Sequence, residues 1–224
     1  MSSMGHRELL GVELPIIQAP MAGVQGSALC IAVSNAGGLG SLPCGMLSPD
    51  AIHAELTAIR AGTDRPYGVN FFCHTMPPEN PVREAAWRAL LLPYFEEYGL
   101  PLPGAPSALR TPFGSQAADV LEDFKPPVVS FHFGLPAAPL LSRVRSWGSK
   151  VLGCATTVEE ALWLEAHGVD AVIAQGSEAG GHRGMFLSSE LASQCGTMAL
   201  LPQILDAVRV PVIAACGLVQ RVYA

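Results

Sequence analysis

The chain has 224 residues, half of them hydrophobic, with 23 Gly, 19 Pro and only 14% charged residues; so apolar a chain is not a disordered one. Thirteen basic and nineteen acidic residues give a formal net charge of −6, and with two lysines, Lys125 and Lys150, and no basic run, a nucleic-acid backbone is a poor partner. Gly, Pro, Asn or a charge interrupts every apolar run before it could span a membrane, and the first 13 residues lack a secretory-signal layout, so the expectation is a soluble, cytoplasmic protein.

Short apolar runs bounded by Gly or Pro recur along the chain, at 15–19, 38–42, 67–72, 128–133, 150–154, 171–175 and 210–215. They do not alternate with period two, as a sheet with one wet face would, and near-continuous apolar strands point to parallel β-structure buried on both faces. Helical patterns lie between them. Ser48-Pro49 is a cap followed by Pro at the first helical position, with Ile52, Leu56 and Ile59 on one face and Gly62 at the end. Asn80-Pro81 opens another, with Trp87, Leu90 and Leu91 as apolar positions, and 136–148 reads as a third. Thr157 followed three residues later by Glu160 is a capping-box pattern, opening a helix that ends at Gly168.

Strand then helix, repeated, is the signature of an α/β fold with parallel strands. Seven strand candidates leave a (β/α)8 barrel one strand short. Residues 73–127 form a connection much longer than the others, read as a helical and loop insertion within a single domain of 1–224. The six cysteines, Cys30, Cys44, Cys73, Cys154, Cys195 and Cys216, stand singly with no C-x-x-C pair. Buried free thiols explain them better than a disulfide framework or a zinc site, and no metal site is expected.

The chemistry-bearing residues cluster at strand C-termini, where barrel sites are built. They are Ala19-Pro20-Met21 after the first strand, Asn70 in the third, His132 in the fourth, and the run from Gln175 to Gly184 after the sixth. The glycines of that run permit positive φ and a close backbone approach to a ligand such as a phosphate. His182 sits at its edge, and an imidazole titrates near neutrality, which suits proton transfer. Structural alternatives stay open: the glycines as a tight turn, His132 as a core histidine, Asn70 as a buried anchor. Other nucleotide and hydrolase motifs fail. Gly38-Leu39-Gly40 starts a G-x-G-x-x-G that ends on Pro43, neither lysine lies in a G-K-[ST] context, and no G-x-S-x-G occurs.

Five segments, 19–23, 34–40, 68–72, 130–134 and 175–184, in this order at strand ends, resemble the nitronate monooxygenase family, formerly 2-nitropropane dioxygenases. The resemblance implies a TIM-type barrel that binds FMN. It also implies oxidation of an alkyl nitronate by dioxygen to a carbonyl compound and nitrite. By position it implies FMN contacts at Ala19, Pro20, Met21, Asn70, Gln175 and Gly217, and FMN phosphate contacts at Gly180 and Gly181. His182 would be the base or electrostatic partner of the nitronate, and His132 a second polar group toward the substrate. Family members continue to an eighth strand, whereas this sequence stops at Ala224 with Cys216-Gly217 where Gly-Gly is usual, so an incomplete barrel is expected. Two alternatives remain open: an NAD(P)H-dependent FMN reductase of quinones or enoyl thioesters, and a truncated non-catalytic barrel. The oligomeric state is also left open, a homo-oligomer included.

Overall fold

A computed structural model describes residues 5–101 and 110–215. The chain divides into two compact units, Met1–His74 with Pro112–Ala224, and Thr75–Thr111. In chain order the first unit opens with α1 (His6–Leu10), α2 (Ser27–Asn35), β1 (Gly40–Pro43), α3 (Pro49–Gly62) and β2 (Tyr67–Phe72). The second unit carries α4 (Pro81–Glu97), on which Trp87 and Leu90 are exposed. The first unit resumes with α5 (Ser115–Phe124), β3 (Val128–His132), α6 (Ala138–Ser146), β4 (Lys150–Ala155) and α7 (Val158–Ala166). It continues with β5 (Ala171–Gln175), a short 3-10 turn (Leu191–Ser193), α8 (Thr197–Ala207) and β6 (Val212–Ala215).

The strands form one sheet in the order β1-β2-β3-β4-β5-β6, every pair parallel. A doubly wound sheet reverses its strand order at a switch point; this one does not, so each strand adds to the same edge, as in a partial TIM-type barrel. Successive residues enter opposite faces. Val129, Phe131, Val151 and Val172 join the large core with Leu56, Ile59, Leu121, Val144, Leu164 and Ile204 from the surrounding helices. Their neighbours Val128, Leu152 and Ala171 face the other way, packing with Leu39 and with Leu10 and Val12 at and after α1. Both faces are buried, which is the physical reason the strands read as unbroken apolar runs. Each fully buried Leu or Ile in these layers contributes roughly 1.5–3 kcal/mol.

Local capping follows the sequence. Ser48 Oγ accepts from Ala51 N at 3.2 Å and Asn80 Oδ1 from Arg83 N at 2.9 Å, each ahead of a Pro in the first turn. Gly153 lets α7 approach β4, because a Cβ there would lie 2.6 Å from Leu164 Cδ2.

The first of the seven strand candidates requires correction. Residues 15–19 make a single parallel bridge, Ile17 to Leu39, and the sheet has six strands among the described residues. Leu39 N donates to Ile16 O and Gln18 N to Leu39 O, both at 2.9 Å, so a ladder begins. It stops because Pro20 has no N–H for the next rung. The carboxamide of Gln18 takes over instead, accepting from Ser41 N and donating to Ser41 O, both at 3.2 Å. The expected eighth-strand gap and the Gly217 contact concern residues 216–224, which lie outside the described residues.

Candidate active site

The C-terminal end of β3 is conformationally unusual. His132 is followed by Phe133 at φ 67° and Gly134 at φ 86°. A left-handed conformation costs a non-glycine residue about 1–2 kcal/mol, so Phe133 is held there by its surroundings. Its ring centroid lies 4.6 Å from that of His132, 5.5 Å from Phe72, 6.2 Å from His74 and 6.0 Å from His182. Phe72, at the end of β2, is 5.5 Å from His182. Two phenyl rings and three imidazoles therefore gather where β2, β3 and the connection after β5 meet.

That connection is pinned at several points. The carbonyl of His182 accepts from Nε2 of His132 and from Nε2 of Gln175, each at 2.8 Å. Gln175 Oε1 accepts from Gly184 N at 2.7 Å, so one carboxamide grips the chain on both sides of Arg183. The Arg183 guanidinium turns back to the carbonyls of Gln175 and Gly176. Gly184 must be glycine for this approach, since a Cβ would sit 2.7 Å from His132 Cε1 and 3.1 Å from Cys154 Sγ. With its carbonyl fixed, the His182 residue itself stays exposed.

Burial pushes the His132 imidazole below its ordinary value; the His182 carbonyl opposes this, while His182 and Arg183 add to it and Glu160 opposes it. The neutral ring with its proton on Nε2 is the form that donates to the His182 carbonyl. At the far end of the connection the exposed Glu178 carboxylate accepts from Thr197 N at 2.9 and 3.0 Å, at the start of α8. Hydrogen bonds from its own backbone N–H and from that of Thr197 hold its pKa low. An acid is thus already placed on that helix N-terminus.

The sequence-derived candidates fall into separate groups. His132, His182 and Gln175 share one carbonyl. Asn70 belongs to another group: buried in β2, it donates from Nδ2 to Ser130 Oγ at 2.9 Å and to Ser130 O at 3.3 Å. Gly180 and Gly181 are exposed, with no atom within 4 Å of an added Cβ at either, and Gly181 has φ 80°. Ala19, Pro20 and Met21 are exposed beyond the Gln18 rung, where Gln25 Nε2 donates to Ala19 O at 3.0 Å.

Sequence reasoning missed Phe72 and Phe133 as site residues, and it misread Glu160. The capping box at α7 is half formed: Thr157 Oγ1 accepts from Glu160 N at 3.2 Å, but the Glu160 carboxylate accepts from Thr156 N at 2.7 Å and reaches out of the helix. The positive φ of Phe133 had a trace in the sequence, a following glycine; the reach of Glu160 had none.

Fold and geometry together define a barrel-type α/β protein whose candidate site lies at the C-terminal ends of its parallel strands. The model of one protein family, nitronate monooxygenase, matches residues 5–222, and the chain belongs to that family. It is 45% identical over 212 residues to the nitronate monooxygenase of Paraburkholderia phytofirmans, covering 94% of this chain and 58% of that one. The nitronate monooxygenase of Pseudomonas aeruginosa is 43% identical over 215 residues, with 94% and 60% covered. Among solved structures, a nitroalkane oxidase from Streptomyces ansochromogenes aligns with a TM-score of 0.81 at 41% identity, covering 91% of this chain and 58% of that one. The chain thus spans about three-fifths of the length of the curated relatives it matches. No helix among the described residues is long and apolar enough to cross a membrane.

Proposed function

We propose that this protein is an FMN-dependent oxidoreductase that converts alkyl nitronates, with dioxygen, to a carbonyl compound and nitrite. One observation carries the reading: an exposed histidine whose carbonyl is clamped by two side chains, set beside two phenyl rings and an open glycine bend. A nitronate is a small anion on an apolar carbon skeleton. It calls for a polar partner at the oxygens and an apolar wall around the substituents. His182 supplies the first and Phe72 with Phe133 the second. Family membership and the solved nitroalkane oxidase relative support the same chemistry.

In this reading His182 is the group that meets the substrate, stabilising the anionic nitronate or removing the α-proton of a neutral nitroalkane. His132 acts through it. Its Nε2–H is committed to the His182 carbonyl, so it orients the turn while its partner faces the ligand. Gln175 fixes the same turn from the other side, and its second N–H is a donor for the cofactor.

The residues suit a flavin mononucleotide. The exposed residues Ala19, Pro20 and Met21 offer a shelf, Asn70 and Gln175 offer carboxamides, and no atom lies within 4 Å of a Cβ added at Gly180 or Gly181. The carboxylate of Glu178 makes the start of α8 unsuited to a phosphate, which leaves that group to the glycine bend. When bound, FMN supplies the acceptance of electrons from the substrate, and their delivery to dioxygen, that side chains cannot.

The deciding experiment is a visible spectrum of the purified chain before and after FMN, followed by oxygen uptake and nitrite release with a nitronate. A flavin spectrum with nitronate-dependent uptake is expected. A protein that stays colourless in FMN would sink the proposal, and anaerobic bleaching by NADH or NADPH without nitronate turnover would replace it with a reductase.

A further inference from the structure

We propose that Glu160 is a positioning residue for His182, holding the return limb of the β5–α8 connection in the one arrangement that presents the imidazole to substrate; its functional meaning rests on the nitronate reading above. The Glu160 residue is 1% exposed and stands at the start of α7, below the site. Its carboxylate accepts four hydrogen bonds. Oε2 accepts from Thr156 N at 2.7 Å and Thr156 Oγ1 at 2.8 Å, and Oε1 accepts from Phe186 N at 2.6 Å and Leu187 N at 3.2 Å.

An acid that merely favoured the N-terminus of α7 would stay in solvent, as the neighbouring Glu159 does. Burying a carboxylate is costly unless its acceptors are filled. Here they are filled by two stretches of chain far apart in sequence, so the carboxylate is a tie between them. The tie falls just past the His182 turn: Gly184 N is taken by Gln175, and Phe186 N, two residues on, by Glu160. It also sets the Phe186 ring against Gly134, where an added Cβ would be 3.2 Å from Phe186 Cδ2, directly after the strained Phe133. A second strut reaches Thr156, a donor to the same carboxylate, since Gln194 Nε2 donates to Thr156 Oγ1 at 3.1 Å. Both limbs of the long connection are therefore referred to one buried carboxylate.

Glu160→Gln keeps the size and places an N–H against two of the donors, whichever way the amide turns. Glu165→Gln is the control: it lies on the same helix, but its Oε1 accepts from Arg209 N and Val210 N, away from His182. Hydrogen exchange of the full chain should accelerate at least about tenfold over residues 180–187 in Glu160→Gln, with β3 and β4 still protected. The His182 imidazole ¹H–¹⁵N signal should shift, and kcat with a nitronate should fall more than KM rises. Glu165→Gln should do none of these. Unchanged exchange at 180–187, or a rise spread evenly across the sheet, would overturn the proposal. If Glu160→Gln does not fold, Thr156→Val removes one donor to the same carboxylate and must give a smaller change at the same residues, or the proposal fails. Absence of nitronate turnover in the wild type would overturn the function, while exchange would still decide whether Glu160 holds the His182 turn.

Discussion

The imidazole of His132 binds the backbone of His182 and not its ring: Nε2 reaches the His182 carbonyl at 2.8 Å from the end of β3, across β4 from the strand that leads to His182. The two histidines therefore have different tasks, one holding and the other held. His132→Leu should leave that carbonyl to Gln175 alone, costing about 1–3 kcal/mol in chemical denaturation. His132→Gln can place an amide N–H near the lost Nε2 and should recover most of this. Equal stability of the two variants would show that the hydrogen bond contributes nothing.

The same bond gives a pH dependence whose sign follows from burial. The His132 pKa is lowered from the ordinary 6.5, so between the folded value and 6.5 the unfolded chain binds more protons. Its contribution to stability is full above 6.5 and is lost as the pH falls through the folded value. Denaturation midpoints taken from pH 7.5 to 5 should fall more steeply for the wild type than for His132→Leu. Parallel curves would contradict this.

For His182 the expected outcome is a separation of binding from chemistry. His182→Asn should retain FMN, because the backbone carbonyl that the turn is built on remains. It should lose roughly 10²-fold or more in turnover of neutral nitroalkanes, the ordinary contribution of a general base. Steady-state oxygen uptake and the flavin spectrum read the two effects separately, and undiminished turnover would remove His182 from the mechanism.

The glycines of the connection divide by what surrounds them. Gly184→Ala drives a Cβ into His132 and Cys154, so about 1–3 kcal/mol of overpacking is expected together with loss of activity. Gly181→Ala meets no atom, and only its φ of 80° opposes it, for roughly 1–2 kcal/mol. Thermal unfolding of the two variants, with the larger drop in the first, tests the distinction.

Four of the thiols should be inert in the native protein. Burial pushes Cys30, Cys73 and Cys154 up to about 12, and Cys44 is raised further. Brief alkylation at pH 8 followed by mass spectrometry should leave these four unmodified until denaturant is added. Modification of Cys73 in the folded chain would show that its setting is more open than its burial implies.

Much of the barrel wall is legible in the sequence because a strand buried on both faces cannot hide its composition: 67–72, 128–133, 150–154 and 171–175 stand out as apolar runs between turn residues. The first candidate failed for a reason a one-dimensional pattern does not contain. An apolar run needs donors as well as side chains, and Pro20 removes the donor where the ladder would continue. His182 and Gln175 were visible as polar residues in a glycine-rich run. Glu160 was hidden because its spacing from Thr157 satisfied a local explanation, and its distant partners, Phe186 and Leu187, lie far along the chain. The aromatic group was hidden too, since Phe72 and Phe133 look like ordinary core residues until the backbone of Phe133 turns them together.

The rung that Gln18 supplies in place of the backbone has a consequence for how this surface can vary. Sheet edge and proposed ligand shelf, although adjacent in the chain, are specified by different atoms: a side chain closes the ladder, and the three residues after it are released from pairing. Substitutions at 19–21 can therefore reshape what the shelf accepts without unzipping the wall behind it, whereas a change at Gln18 would alter both at once.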